Sequence, residues 1–138
     1  MKECVFCKII KGEIPCEKIF ENEKYLAFLD INPMYKGHTL LIPKKHTDYI
    51  FDIKDNELTD YFLMAKKISF LLKKVLKTEK VGLVVEGFFV RHAHIHLIPI
   101  NIGDSLDPHL QKPIKKEELE EIGKQIRKNI KKIRISII

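Results

Sequence analysis

Arg91-His92-Ala93-His94-Ile95-His96-Leu97-Ile98-Pro99 is the stretch from which the rest of the chain is read. Side chains of a strand alternate between faces. A strand over residues 90–100 therefore puts His92, His94 and His96 on one face and Ala93, Ile95 and Leu97 on the other. Small and apolar groups then face a core, and three of the chain's six histidines face whatever lies above the sheet. Same-face neighbours are about 6.6 Å apart, so the outer two imidazoles are about 13 Å apart. One metal ion, with histidine ligands at about 2.0–2.1 Å, cannot reach all three. Three readings stand open: a polar sheet face, a zinc hydrolase site using His94 and His96, or nucleophilic catalysis. In the last, a neutral imidazole attacks phosphorus near neutral pH and leaves readily once phosphorylated. Neighbouring imidazoles bind phosphate oxygens and assist the departing group.

Outward from this stretch, the chain reads as one α+β domain over residues 1–138, with a triad region over 1–100 and a helical extension over 111–138. A short helix over residues 6–11 is stopped by Gly12 and Pro15. Strands are expected over 18–21 and 25–30, joined by an Asn22-Glu23-Lys24 turn, and over 38–43, ended by Pro43. Leu58, Phe62, Ala65, Ile68, Leu72, Val75 and Leu76 recur at helical spacing and predict a long helix over 56–77, capped by Asp55 or Asn56. A strand over 81–85 and the histidine strand complete a mostly antiparallel, five-stranded sheet. After Pro113, Leu119, Ile122, Ile126, Ile130 and Ile133 mark a second amphipathic helix. Two long helices cannot cover both faces of such a sheet, so one face stays partly open for a ligand.

Composition narrows the function classes. The chain has 138 residues, 45% of them hydrophobic, enough for a single core. No apolar run approaches the roughly 18 residues of a membrane span. Met1-Lys2-Glu3-Cys4 lacks a signal-peptide layout, and three cysteines cannot all pair, which together point to the reducing cytoplasm. The net charge of +6 is concentrated in the tail: residues 1–110 carry 16 Lys/Arg against 15 Asp/Glu, and residues 111–138 carry 9 against 4. No aromatic residues interleave with those tail lysines, which argues for a solvated helix face and against a nucleic-acid partner.

Four blocks in order carry a resemblance: Phe6-Cys7-Lys8-Ile9-Ile10, Ala27-Phe28-Leu29-Asp30-Ile31-Asn32-Pro33, Gly37-His38-Thr39-Leu40-Leu41-Ile42-Pro43-Lys44-Lys45-His46, and His92 to Ile98. Together they resemble the histidine-triad (HIT) family of nucleotide hydrolases and transferases. The resemblance implies a homodimer that binds a purine nucleoside monophosphate moiety and cleaves a phosphoramidate or phosphoanhydride. It implies a phosphoramidase or a dinucleoside polyphosphate hydrolase, with a covalent nucleotidyl-histidine on His94. His96 is implied to contact the phosphate and assist the leaving group, and His38 to approach from the neighbouring strand. Asp30 matches the acid that takes the ribose hydroxyls, and Phe6, Ile9, Phe28 and Ile31 match the walls around the base. A non-catalytic nucleotide-binding or protein-interaction module of the same fold is the competing reading.

Cys4-x-x-Cys7 is compatible with redox chemistry, with two unremarkable thiols, or with two of the four ligands of a closed zinc site. The resemblance implies that His46 and His92 supply the others, which makes Zn²⁺ structural and leaves His94 and His96 for substrate. Cys16 and His109 fall outside these patterns, and are expected to be a buried thiol and a surface residue. The chain departs from the family before the triad, where Phe88 and Phe89 stand in place of polar residues. Phosphate would then rely on backbone N–H groups or on Arg91. Phe88 or Phe89 is also expected at a subunit contact.

Overall fold

A computed structural model describes residues 4–133, with side chains through residue 130. The amino-terminal reading on Met1 to Glu3 and the side chain of Ile133 lie outside the described residues. The elements are α1 (Val5–Ile10), β1 (Lys18–Glu21), β2 (Tyr25–Leu29), β3 (Thr39–Pro43), α2 (Asp55–Leu76), β4 (Lys80–Val84), β5 (Ile95–Ile100) and α3 (Lys116–Ile133). One sheet in the order β1-β2-β3-β5-β4 holds all five strands, every neighbouring pair antiparallel. The expected α+β architecture is present.

Alternation along the strands sorts the side chains into two cores. Tyr25, Ala27 and Leu29 of β2, Leu41 of β3, and Ile95 and Leu97 of β5 join the large core beneath α2 and α3. Leu26, Phe28, Leu40 and Ile42 point the other way, into a small cluster closed by Phe6 of α1. The short α1, six residues long, thus covers only part of this second face, and the site lies on the remainder. Each fully buried Leu or Ile on either face contributes roughly 1.5–3 kcal/mol relative to exposure.

Three expectations need correction. β5 begins at Ile95, and residues 90–94 are irregular. The Ala93 N–H donates to Thr47 O at 2.6 Å, outside the β3–β5 ladder, and this holds the segment off the strand path. His92 therefore does not share a strand face with His94 and His96. In α2, Phe62 is exposed and Tyr61, Met64 and Leu71 are buried in its place. The helix is rolled because the Tyr61 hydroxyl donates to Leu41 O at 2.6 Å and its ring stacks on Tyr25. Its N-cap is Lys54, with no side-chain cap, and Asp55 is already helical.

α3 crosses back over β1 and α2. Gly123 permits the approach, because a Cβ there would overlap the Glu17 side chain. Arg127 then bridges Glu17 and Lys18 O, each at 2.6 Å. Between β5 and α3 a strap runs back across residues 31–35: the Tyr35 hydroxyl donates to Ser105 O at 2.9 Å, and the Ile114 N–H donates to Ile31 O at 3.3 Å.

Candidate active site

On the open face lies a cavity of about 540 Å³, within the size range of small-molecule sites. Phe6, Ile9, Phe28 and Ile31 line it, together with Asp30, His94 and His96. Phe6 and Phe28 are buried and packed edge to face at 5.7 Å, whereas Ile31 projects at the rim and is 64% exposed. Phe6 also sets its ring against His94 at 5.1 Å between centroids.

The hydrogen bonds assign protons to the imidazoles. His94 Nδ1 lies 2.8 Å from the His92 carbonyl oxygen, an atom that only accepts, so Nδ1 carries the hydrogen. Its Nε2 keeps a lone pair and has no hydrogen-bond partner among the described residues. No buried polar side-chain atom there lacks a partner, so this nitrogen opens to the cavity. On β3's flank, the Met34 N–H donates to His38 Nδ1 at 3.0 Å, which places the other hydrogen on His38 Nε2. That Nε2–H donates to His96 Nδ1 at 2.9 Å, leaving Nε2–H on His96 as the outward donor. The rings of His94 and His96 are 5.1 Å apart.

Burial keeps His38 and His96 neutral. It lowers His38 to about 3, with His96 as the second cause, and lowers His96 to about 4, with His94 as the second cause. Burial also pushes the Asp30 carboxyl above its ordinary value, against the Asn32 N–H, which donates to Oδ1 at 2.8 Å. Asp30 Oδ2 stands 3.5 Å from His38 Nε2. Asp30, His38 and His96 are close enough to hold a metal ion. His38 cannot ligate through Nε2, however, while Met34 holds the hydrogen on that nitrogen.

A second cluster lies behind Phe6. Cys4 caps α1, its Sγ accepting the Cys7 N–H at 3.3 Å. His92 Nδ1 is 3.4 Å from Cys4 Sγ, 3.6 Å from Cys7 Sγ and 3.1 Å from His46 Nδ1, and Cys7 Sγ is 3.4 Å from His46 Nδ1. Around one tetrahedral zinc, two nitrogens stand about 3.3 Å apart and a nitrogen and a sulfur about 3.6 Å apart. The cluster has these spacings, so its donor set and shape fit zinc. His92 Nε2–H donates to Pro43 O at 2.7 Å, which turns the Nδ1 lone pair toward the cluster. His94 belongs to neither metal-capable group among the described residues, so the two-histidine zinc reading of His94 and His96 has no geometric support.

Other sequence expectations divide. His109 is on the surface, bonded to Asp107. Cys16 is half-buried and borders the cavity, where burial raises its thiol. Arg91 is not at the phosphate end: its guanidinium grips Asp48 at 2.9 and 3.1 Å. Phe88 and Phe89 are 76% and 97% exposed, and the Phe88 N–H is taken by the Glu86 carboxylate at 2.9 Å. Sequence reasoning missed Met34, which acts through its backbone, and Gln111, whose amide reaches Asp30 from the strap. Only the Pro108 and Pro113 breaks hinted that this region is a strap before a helix.

The HIT domain pattern matches residues 11–101. An uncharacterized HIT-like protein of Methanocaldococcus jannaschii is 42% identical over 129 residues, covering 90% of this chain and 98% of that one. The adenosine 5′-monophosphoramidase of Schizosaccharomyces pombe is 36% identical over 138 residues, covering 93% and 98%. Among solved structures, a Zn-bound histidine triad family protein from Mycobacterium smegmatis superposes with a TM-score of 0.82 at 28% identity, covering 96% of each chain. The matched span covers about two thirds of the chain and runs through His38, His46 and all three triad histidines: this chain belongs to the HIT family.

Proposed function

We propose that the chain hydrolyses a purine nucleoside 5′-phosphoramidate through a covalent intermediate on His94. The observation that carries this reading is the His94 ring, anchored at Nδ1 by the His92 carbonyl with its Nε2 lone pair open to the cavity. The S. pombe monophosphoramidase, similar along nearly its whole length, supports the substrate class. The base lies between Phe6, Ile9, Phe28 and Ile31, and Asp30 accepts the ribose hydroxyls.

Nε2 of His94 attacks the α-phosphorus, the P–N bond breaks, and the amine departs with a proton drawn from solvent. His96 Nε2–H donates a hydrogen bond to the group that leaves, and His38 holds His96 in that tautomer. Water then attacks the phosphorus, His94 leaves as neutral imidazole, and the proton is returned to solvent. No metal takes part in either step. Cys4, Cys7, His46 and His92 would hold zinc, which when bound supplies a structural cross-link between α1 and the segments before and after the sheet's centre. A reducing compartment, the cytoplasm, keeps those thiols free, and a homodimer is the proposed assembly.

One observation favours a binding module without turnover: the Glu86 carboxylate occupies the Phe88 N–H, a donor that phosphate would otherwise use. Alkaline quenching after a brief reaction with adenosine 5′-phosphoramidate labelled at phosphorus separates the two. Label retained on the parent protein and absent from His94→Ala supports catalysis. Turnover by His94→Ala at the parent rate would refute it.

A further inference from the structure

The HIT pattern ends at residue 101, yet the cavity does not. Beyond β5 the strap returns to the edge of the site and sets Gln111 beside Asp30. Gln111 Nε2 donates to Asn32 O at 2.8 Å and to Asp30 Oδ2 at 3.3 Å. A backbone carbonyl only accepts, so the amide nitrogen, not its oxygen, must face both partners. We infer that Gln111 aims the Asp30 carboxylate at the sugar, and that the strap thereby sets a preference for ribose over 2′-deoxyribose. The inference rests on the nucleotide-binding reading above and extends it to a part of the chain outside the family pattern.

The geometry has three parts. First, Asp30 is 9% exposed, and its two oxygens are held separately, Oδ1 by the Asn32 N–H and Oδ2 by Gln111. Each carboxylate oxygen can accept more than one hydrogen bond, so one acceptor direction per oxygen stays available for a pair of vicinal hydroxyls. Second, Gln111 gives Oδ2 a donor other than the His38 Nε2–H, which stands 3.5 Å away and is needed by His96. Without it the carboxylate would compete for that hydrogen and turn from the sugar. Third, the strap is pinned independently of the Gln111 side chain, by the Lys112 N–H on Pro33 O at 3.4 Å and the Ile114 N–H on Ile31 O at 3.3 Å. Replacing the carboxamide therefore leaves the strap in place. Gln111 is a positioning residue, acting on substrate through Asp30.

Calorimetry of the full chain with adenosine 5′-monophosphate and its 2′-deoxy counterpart tests this, alongside phosphoramidase kinetics. A hydrogen bond to a charged group changes affinity about tenfold. The parent should bind the ribonucleotide tighter by about that factor. In Gln111→Leu and in Gln111→Asn, whose amide falls short of Asp30, the ratio should drop to within about twofold. KM for the ribose substrate should rise by about the same tenfold with kcat nearly unchanged. A parent-like ratio in either folded variant overturns the inference and leaves the nucleotide site standing. If both variants unfold, Gln111 is a structural residue and the inference is likewise overturned. A parent that binds neither nucleotide overturns both readings. A Gln111-dependent ratio in a protein that never traps label on His94 supports this inference while refuting the catalytic one.

Discussion

Acidifying the protein from about pH 7 to about pH 5 should destabilise the fold through His38 and His96. In the fold they titrate at about 3 and about 4, against an ordinary value of 6.5. Above 6.5 both states are neutral there, and the stability is fully present. Below it the unfolded chain takes up two protons that the buried rings refuse, so stability falls as pH falls. Near pH 5.5 each ring contributes about 1.2 kcal/mol per pH unit, about 2.5 kcal/mol together. A domain of this length has roughly 7–20 kcal/mol in all, so the loss is large enough to measure. Asp30, whose carboxyl is raised by burial, opposes the trend toward the acid end. Urea unfolding of the parent and His38→Gln at several pH values reads the effect. The variant keeps a donor toward His96 but has one fewer site to titrate, so its slope should be shallower by about 1.2 kcal/mol per pH unit. Acid release of a metal from the cysteine cluster is common to both proteins and cancels in the difference. Parallel pH profiles would refute the neutral, buried assignment of His38.

Two more outcomes are expected. Elemental analysis should find about one zinc per parent chain and little in Cys4→Ser, with a fall in thermal stability, since a three-ligand remnant cannot close the tetrahedron. Equal metal content would remove Cys4 from the site. Arg91→Ala should leave KM for the phosphoramidate unchanged, because the guanidinium is committed to Asp48, and should cost stability no more than about 1 kcal/mol, as a surface pair does. A many-fold rise in KM would place Arg91 at the phosphate after all.

The sheet and most of its site were legible because strand alternation and proline punctuation are local signals. Asp30 and the apolar wall residues named in the four blocks line one cavity, and His38 bonds to His96 at its edge. The start of β5 was not legible. Alternation presumes an extended chain, and nothing local in residues 90–94 announces that the Ala93 amide will pair with Thr47 instead of the ladder. The roll of α2 was missed for a similar reason: Tyr61 and Phe62 compete for one inward position, and the phenol wins through a carbonyl on another strand. Gln111 carries no motif at all, because a carboxamide acquires meaning only from the acid 81 residues away that it touches.

The His92 residue serves two sites with different atoms: its ring faces the cysteines, and its carbonyl steadies the His94 ring. A chelator that emptied the cysteine cluster would loosen that peptide unit and unmoor the His94 ring. On the proposed mechanism, chelation would then mimic the inhibition of a metal-dependent hydrolase. If zinc is structural as proposed, sensitivity to chelation would report on scaffolding, and a metal swap that preserves tetrahedral shape should restore turnover whatever the Lewis acidity of the replacement.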